Sequence, residues 1–294
     1  MKFTLIFSVL VTMLTSVAAF PLQEPLGGGL KLQRPKFKKG DIIISKTLVE
    51  LVDAKVSSPD IPKGDKFNLN RRIRGTLLSE VIETNEGGDI SEILESTLVS
   101  GNDTRVAGKV GGKEIDDANN ERSPLEDTTI RYLQKKGIWV GRLNEGETTK
   151  EIADLLDSYL SPDETSLLPK KPLSLGESWT IKGPSLRKFA PEALSFDGSA
   201  ELTFEKIVAI NGRNHALVKG VLEMKLTSLD EDKNEIKSRI NCTLNIWVDI
   251  QTGIEALGEG KGSMVIEGTF GKIKDAKMAG QLLLNTSQRL LKKP

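Results

Sequence analysis

Few side chains in this sequence are of a type that performs chemistry. Its 294 residues include one histidine, His215, and one cysteine, Cys242. A single imidazole excludes a metal cluster built on several histidines and leaves any Ser-His-Asp arrangement one candidate base. His215 follows the Asn211-Gly212 turn at the start of an apolar run, beside Asn214, with no recognisable nucleophile nearby, so the pattern predicts a structural place at the surface or a strand end. The nucleophile elbow G-x-S-x-G is absent, as is the dinucleotide fingerprint. Gly108-Lys109-Val110-Gly111-Gly112-Lys113-Glu114 lacks both the spacing and the terminal hydroxyl of a phosphate loop. Asp230, Asp232 and Asn234 imitate the opening of a calcium loop, but its sixth position is Glu235 and its twelfth Asn241, so the ligand set is incomplete. Carboxylate pairs such as Asp116-Asp117 and Glu201/Glu205 are what any acidic surface produces, and nothing selects one for glycoside chemistry. No catalytic residue, metal ligand or cofactor site is assigned, and the expectation is a protein that is not an enzyme.

Two features point to packing and binding instead. Ile240-Asn241-Cys242-Thr243-Leu244-Asn245-Ile246-Trp247-Val248-Asp249 alternates apolar and polar residues, so a strand would put Cys242 on one face with Ile240, Leu244, Ile246 and Val248. As the lone thiol it has no partner within the chain for a disulfide, and it reads as a small buried hydrophobe. In the next run, Ile254, Ala256, Gly258, Gly260, Gly262, Met264 and Ile266 share a face. Glycine weakens a strand, so three in succession call for strong curvature, close approach of a helix, or a bound ligand. Gly258, Gly260, Gly262 and Met264 are the candidate lining of a ligand groove.

The elements that must carry these residues are mainly β. Long alternating runs separated by turn residues read as strands over 41–52, 71–84, 89–100, 129–133, 138–142, 177–182, 198–210, 215–228, the Cys242 run, 254–267 and 276–290. Asn85-Glu86-Gly87-Gly88 and Asn211-Gly212 are hairpin turns. Residues 101–127 are polar and read as a strand fragment followed by a mobile loop. In 148–160 the period changes: Ile152, Leu155, Leu156, Tyr159 and Leu160 form one helical stripe, and Thr148 with Glu151 makes a capping box. That stripe is expected to cover an inner sheet face.

Phe37-Lys38-Lys39-Gly40-Asp41 resembles Leu173-Ser174-Leu175-Gly176-Glu177, 136 positions further on. The fold class that results is two duplicated modules of curved, half-barrel-like antiparallel meander sheet with one or two short helices. Its divisions are a signal peptide (1–19), a Pro/Gly-rich leader (20–39), a first β module (40–147), a helix and linker (148–172) and a second β module (173–294).

Targeting follows from Met1-Lys2, the apolar run 3–14 and the small residues Ser16-Val17-Ala18-Ala19. These form a secretory signal peptide, cleaved after Ala18 or Ala19, with no cysteine nearby to carry a lipid. The expected product is exported, periplasmic or extracellular, not lipid-anchored and not an integral membrane protein. The 20–39 leader reads as a solvated tail. With 41 basic and 41 acidic residues the chain has no bias toward nucleic acid. The sequons at Asn102, Asn241 and Asn285 matter only in a eukaryotic source.

Leu168-Pro169-Lys170-Lys171-Pro172 leading to Gly176-Glu177-Ser178-Trp179, followed by Asp249-Ile250-Gln251-Thr252-Gly253, resembles a group of exported bacterial β proteins of unknown function. These carry an L-P-x-x-P, G-(D/E)-S-W motif and a D-x-x-T-G hairpin. A weaker, fold-level likeness is to periplasmic lipoprotein carriers, whose helix-plugged half-barrel holds acyl chains. The resemblance carries no assigned activity. An exported β protein poor in histidine and metal ligands, with duplicated modules, fits a non-catalytic binding or interaction protein, its partner a lipid or apolar ligand or another exported protein; the glycine row and the curved-sheet likeness give the alternative, a carrier of lipid or another apolar ligand, and a hydrolase is the remaining alternative.

Overall fold

In a computed structural model of the chain, the described residues are 31–291, apart from Gly64, Gly111, 150–151, 154–155, 157–164, 184–185, 187–188, 190–192, 230–232 and 271–272. The twelve strands are β1 (Ile42–Ser57), β2 (Lys66–Thr84), β3 (Ile90–Val110), β4 (Lys113–Arg122), β5 (Thr129–Lys135), β6 (Ile138–Leu143), β7 (Ser178–Ile181), β8 (Ser195–Ile210), β9 (Arg213–Leu229), β10 (Glu235–Asp249), β11 (Glu255–Phe270) and β12 (Ile273–Leu291). They form one antiparallel sheet, ordered β6-β5-β3-β2-β1-β12-β11-β10-β9-β8-β7, with β4 also on β3, and it does not close into a barrel.

Turn chemistry sets the hairpins. Lys136-Gly137 and Asn211-Gly212 have positive φ at both positions (51° and 80°, 50° and 75°), the geometry whose twist matches the flanking strands. At the β2–β3 turn Asn85 Oδ1 accepts hydrogen bonds from the amides of Gly87 and Asp89 (2.9 and 3.0 Å). Bulges interrupt the register of β1 after Val52, β8 after Phe204 and β10 after Trp247, and each adds local twist and bend.

The sheet runs unbroken across the division between residues 40–147 and 173–294, because β1 pairs with β12 from Ile42↔Leu291 to Ser57↔Lys277. Two buried clusters lie on its inner face. One gathers residues of β8–β12 with Leu32, Leu167, Leu168, Leu173 and Leu186. The other holds Phe37, Ile43, Val81, Ile93, Ile130, Tyr132 and Leu156.

Three expectations need correction. Residues 101–122 are not a loop: β3 continues to Val110 and turns back through β4, paired from Gly101↔Arg122 to Val110↔Lys113. That ribbon is exposed on nearly all of β4, so neither face needs apolar residues and no alternation marks it. The described part of the leader is not a solvated tail. Leu32 pairs with Leu173 and is 1% exposed, and Phe37 is 4% exposed. Finally, the helix cap is Thr149, whose Oγ1 accepts from the Ile152 amide (3.3 Å), while Thr148 Oγ1 accepts from Leu143 N (3.4 Å). Of the helical stripe, Ile152 and Leu156 are described, and both pack with the Phe37–Tyr132 cluster; Leu155, Tyr159 and Leu160 lie outside the described residues, as does Glu151. Gly183, Leu186 and Phe189 are each in 3₁₀ conformation, with Leu186 fully buried.

Candidate functional site

The inner face of β8–β12 and β1 is a grid of cross-strand rows. One row runs Leu202–Gly220–Leu244–Gly260–Leu284–Val49. Alternation of Leu and Gly lets each leucine lean over its neighbour: a Cβ at Gly260 would lie 3.0 Å from Leu284 Cβ and 3.2 Å from Leu244 Cδ2. The rows beside it run Ala200–Leu222–Cys242–Gly262–Leu282–Leu51 and Phe204–Val218–Ile246–Gly258–Thr286–Thr47.

The three glycines therefore do different things. A Cβ at Gly262 would fall on the backbone of Asn241 and Cys242, so this position lets β10 and β11 approach closely where the sheet curves. A Cβ at Gly258 would fall on the hydroxyl of Thr286. Gly258, Gly260 and Met264 line a cavity of about 130 Å³ with Leu244, Ile240, Ile246 and Leu284; Gly262 is not among its lining. Among the described residues the lid over the cavity is Thr165, Leu167 and Phe189 rather than the 148–160 helix.

The lid is tied down by the residues of the sequence motif. Trp179 Nε1 donates to the carbonyl of Leu167 (2.9 Å), the Leu167 amide donates to Glu255 Oε1 (2.8 Å), and Arg34 Nε donates to the Leu168 carbonyl. In the D-x-x-T-G hairpin, Asp249 Oδ1 accepts from the amides of Gln251 and Thr252 (2.8 and 3.1 Å). Gly253, at φ 72°, lies against the backbone of Gln33–Pro35, where a Cβ would collide. Both motifs thus hold the leader and lid against the sheet.

His215 sits at the start of β9, at the expected strand end but buried (6% exposed) rather than at the surface, with Nδ1 3.0 Å from the carbonyl of Arg213, two residues back. It pairs across the sheet with Asp249. Cys242 is 1% exposed among Leu222, Leu282 and Gly262, and burial pushes its thiol pKa up to about 12. Asp230 and Asp232 lie outside the described residues; among those described, no group of three or more His, Cys, Asp or Glu could hold a metal. No described helix is long and apolar enough to cross a membrane, which says nothing of a β-barrel.

Thr47 escaped sequence reading. It is 4% exposed, lines the cavity, and its Oγ1 has no hydrogen-bond partner. Its signal was available: Ile43, Ser45, Thr47, Val49 and Leu51 share a strand face on which Ser45 and Thr47 interrupt the apolar residues.

No family model matches the chain, and no curated protein matches it. Among solved structures, DynF from the dynemicin biosynthesis pathway of Micromonospora chersina is 11% identical, at a TM-score of 0.20, covering 96% of this chain and 95% of that one. An outer membrane channel from Pseudomonas putida F1 is 10% identical, at a TM-score of 0.21, covering 91% of this chain and all of that one. At such scores neither likeness carries an argument about function.

Proposed function

We propose that the protein is an exported, non-catalytic binding protein that carries an apolar ligand between its curved sheet and the lid at Thr165–Leu167 and Phe189. The observation behind this reading is the cavity itself. Eleven of its nineteen described lining residues are Val, Leu, Ile, Met or Phe, and Gly258 and Gly260 line it without side chains. Concave, mostly apolar sites with a few polar groups are the usual form of small-molecule sites. Export rests on the apolar run 3–14 and its small-residue border, which lie outside the described residues.

The duplicated-module reading belongs to the same proposal and is supported by two turns. Gly40 and Gly176 both have φ 84°. In each turn the glycine amide donates to a neighbouring strand (Val81 O, 2.8 Å; Phe204 O, 2.8 Å), and that strand's amide returns a bond to the next carbonyl (Asp41 O, 2.9 Å; Glu177 O, 3.0 Å). The acidic side chain accepts from the amide three residues back in both cases, Lys38 to Asp41 and Ser174 to Glu177.

The test is native purification of the mature protein, solvent extraction and mass spectrometry, with benzene titration of the stripped protein. A co-purifying apolar molecule, or benzene binding that Gly260→Leu abolishes in a protein still folded by circular dichroism, is the expected outcome. A stripped protein that binds no benzene removes the reading. An interaction role is the second reading, favoured by Ile138 (70% exposed) and Val140 (47%) on the edge strand β6.

A further inference from the structure

We infer that the rim of the sheet crossed by the leader docks on the surface of an anionic lipid bilayer. The docking stands on charge and exposure at that rim; only its purpose, exchange of the cavity's ligand with the bilayer, rests on the reading above.

Backbone pairs define the rim. Leu32 bridges Leu173, Gln33–Pro35 lie against Gly253, the Phe37 amide donates to the Gly88 carbonyl, and the Gly40 amide donates to that of Val81. β1 begins here opposite the end of β12, β9 begins opposite the end of β10, and β3 begins opposite the end of β5. The turns 85–89, 135–138, 211–214 and 250–254 therefore come to the same side.

With the leader (31–41) and 169–177, these segments hold ten basic residues and four acidic ones, in a chain with 41 of each. The two signs are also disposed differently. Asp41 is buried and accepts from the Lys38 amide, while Glu177 accepts from the Ser174 amide and lies 3.9 Å from Lys171. Lys36, Lys38, Lys39, Lys135 and Lys136 are exposed and form no ion pair among the described residues. At the other ends of β1, β5 and β6, the turns 58–65, 123–128 and 144–148 hold six acidic residues and one basic one. In the first half of the sheet the positive bias thus belongs to one end of the strands.

The same rim exposes large apolar side chains. Ile138 (70% exposed) opens the edge strand β6, and Leu175 (53% exposed) precedes the other edge strand, β7. Clustered lysines are drawn to anionic headgroups by a salt-screened attraction that adds up over the cluster, and apolar side chains gain by entering the headgroup region; together they give reversible peripheral binding. An acidic protein would match the charge but would need two separate apolar recesses, one beside each edge strand. A bilayer meets both. The position also fits the cavity: Thr165, Glu255 and Gln288 line it, and the same three line a recess with Pro35, Phe37 and Gly253 of the rim. An apolar ligand leaving a bilayer at this rim would enter beneath the leader.

The experiment is co-sedimentation of the mature protein with vesicles of phosphatidylcholine alone, or with about one quarter phosphatidylglycerol, at ~0.05 M and ~0.5 M salt. Expected is binding to the anionic vesicles at least about tenfold stronger at low salt, most of it lost at high salt. Lys36→Glu with Lys38→Glu and Lys39→Glu should reduce that binding about tenfold, and Lys135→Glu with Lys136→Glu, on a turn outside the leader, should reduce it in the same direction. Lys63→Glu with Lys109→Glu and Lys113→Glu, the same change of charge at the far ends of the strands, should leave it within about twofold of the parent. Ile138→Ser with Leu175→Ser should weaken it several-fold, each variant being checked for folding by circular dichroism. Equal binding to neutral vesicles, or equal losses from the two triple variants, overturns the rim. Absence of vesicle binding alongside rim-dependent binding of polyglutamate makes the partner an acidic protein and overturns the bilayer. Benzene binding without vesicle binding removes the docking and keeps the cavity; vesicle binding without benzene binding keeps the docking and removes the cavity.

Discussion

The two halves of the sheet share a meander but fill their inner faces in opposite ways. On β8–β12 the rows are built from Leu, Ile, Met, Ala and Gly, and curvature is obtained by omitting side chains at Gly220, Gly260 and Gly262. On β2–β5 polar residues interrupt the apolar ones, and they are paired. Arg71 Nε donates to Asn102 Oδ1 (2.8 Å), and Ser79 Oγ donates to Glu95 Oε1 (3.0 Å) in a fully buried position. The phenol of Tyr132 is held well above its ordinary pKa by burial and then by the nearby charge of Glu95. A face whose buried polar atoms are mostly satisfied stays closed; a face of leucines and glycines, with the hydroxyls of Thr47 and Ser238 left over, leaves a void. The contrast locates the candidate site in the second half without reference to any catalytic residue.

The sharpest break in that comparison is at the glycines. Gly262→Ala puts a methyl onto the backbone of Asn241 and Cys242, where nothing can rotate away, and is expected to cost about 3 kcal/mol in a urea titration. Gly101→Ala, in the first half, meets only the flexible side chain of Arg74 (Nε at 3.2 Å), and a cost below about 1 kcal/mol is expected. Equal costs would mean that glycine sets curvature in both halves alike.

Polar deletions should invert the order. Asn102→Ala removes the acceptor of Arg71, which is 8% exposed, and should cost roughly 1–2 kcal/mol. Thr47→Val removes a hydroxyl with no partner and should be neutral or stabilising. Thermal unfolding of both variants decides it, and a large loss in Thr47→Val would mean that the two faces do not differ in this respect.

Much of this contrast was legible before any coordinates. The alternation around Cys242 places Ile240, Leu244, Ile246 and Val248 on the buried face, and all four are buried, because a sheet face against a core leaves a period-two record in sequence. The β3–β4 ribbon left no such record. Its strands carry cross-strand polar pairs such as Arg105–Asp116 and Asn102–Glu121, placed about evenly on either side of Gly111-Gly112, and that symmetry was the signal available. The leader was misread because Pro and Gly mark an absence of regular pairing, which is not an absence of burial: Leu32 and Phe37 are inserted singly, as anchors. The lid was invisible for a similar reason, since Leu167 reaches the cavity from an irregular segment and Phe189 from a single 3₁₀ position, neither of which leaves a periodic record. The cap shifted by one residue because adjacent threonines offer the same hydroxyl.

Cys242 sharpens the comparison through pH. Burial raises its pKa from an ordinary 9.0 to about 12, so the fold favours the neutral thiol. The sign follows: its contribution is complete below pH ~9 and is lost as pH rises toward 12, at up to ~1.4 kcal/mol per pH unit. At pH ~10 the loss should be about 1 kcal/mol, and Cys242→Ala should remove that part of the pH dependence. The folded protein should also resist alkylation near neutral pH and react once denatured. Rapid native alkylation would place Cys242 off the buried face and dissolve the grid of rows.

The smallest effect is expected where neither half's packing is involved. Arg105 donates through Nε to Asp116 Oδ1 (2.7 Å) across the β3–β4 ribbon, and this hydrogen bond, opposed by slight desolvation and aided by charge, holds the Asp116 carboxyl below its ordinary pKa. Both side chains are more than half exposed (62% and 55%). Water screens such a pair, and holding two mobile side chains in one geometry offsets most of the attraction. β4 pairs with β3 alone, and none of its residues is buried, so no core side chain of its own depends on the pair's register. Asp116→Asn should therefore leave the melting temperature at neutral pH unchanged within error, with or without added salt. The depressed carboxyl pKa works in the direction of stability lost as pH falls through it, so any small difference from the parent should be confined to pH above that pKa and disappear in acid, where the parent loses what the variant never had. A clear drop at neutral pH would show that the ribbon is packed rather than free-standing, and would bring the exposed edge of the first half closer in character to the core of the second.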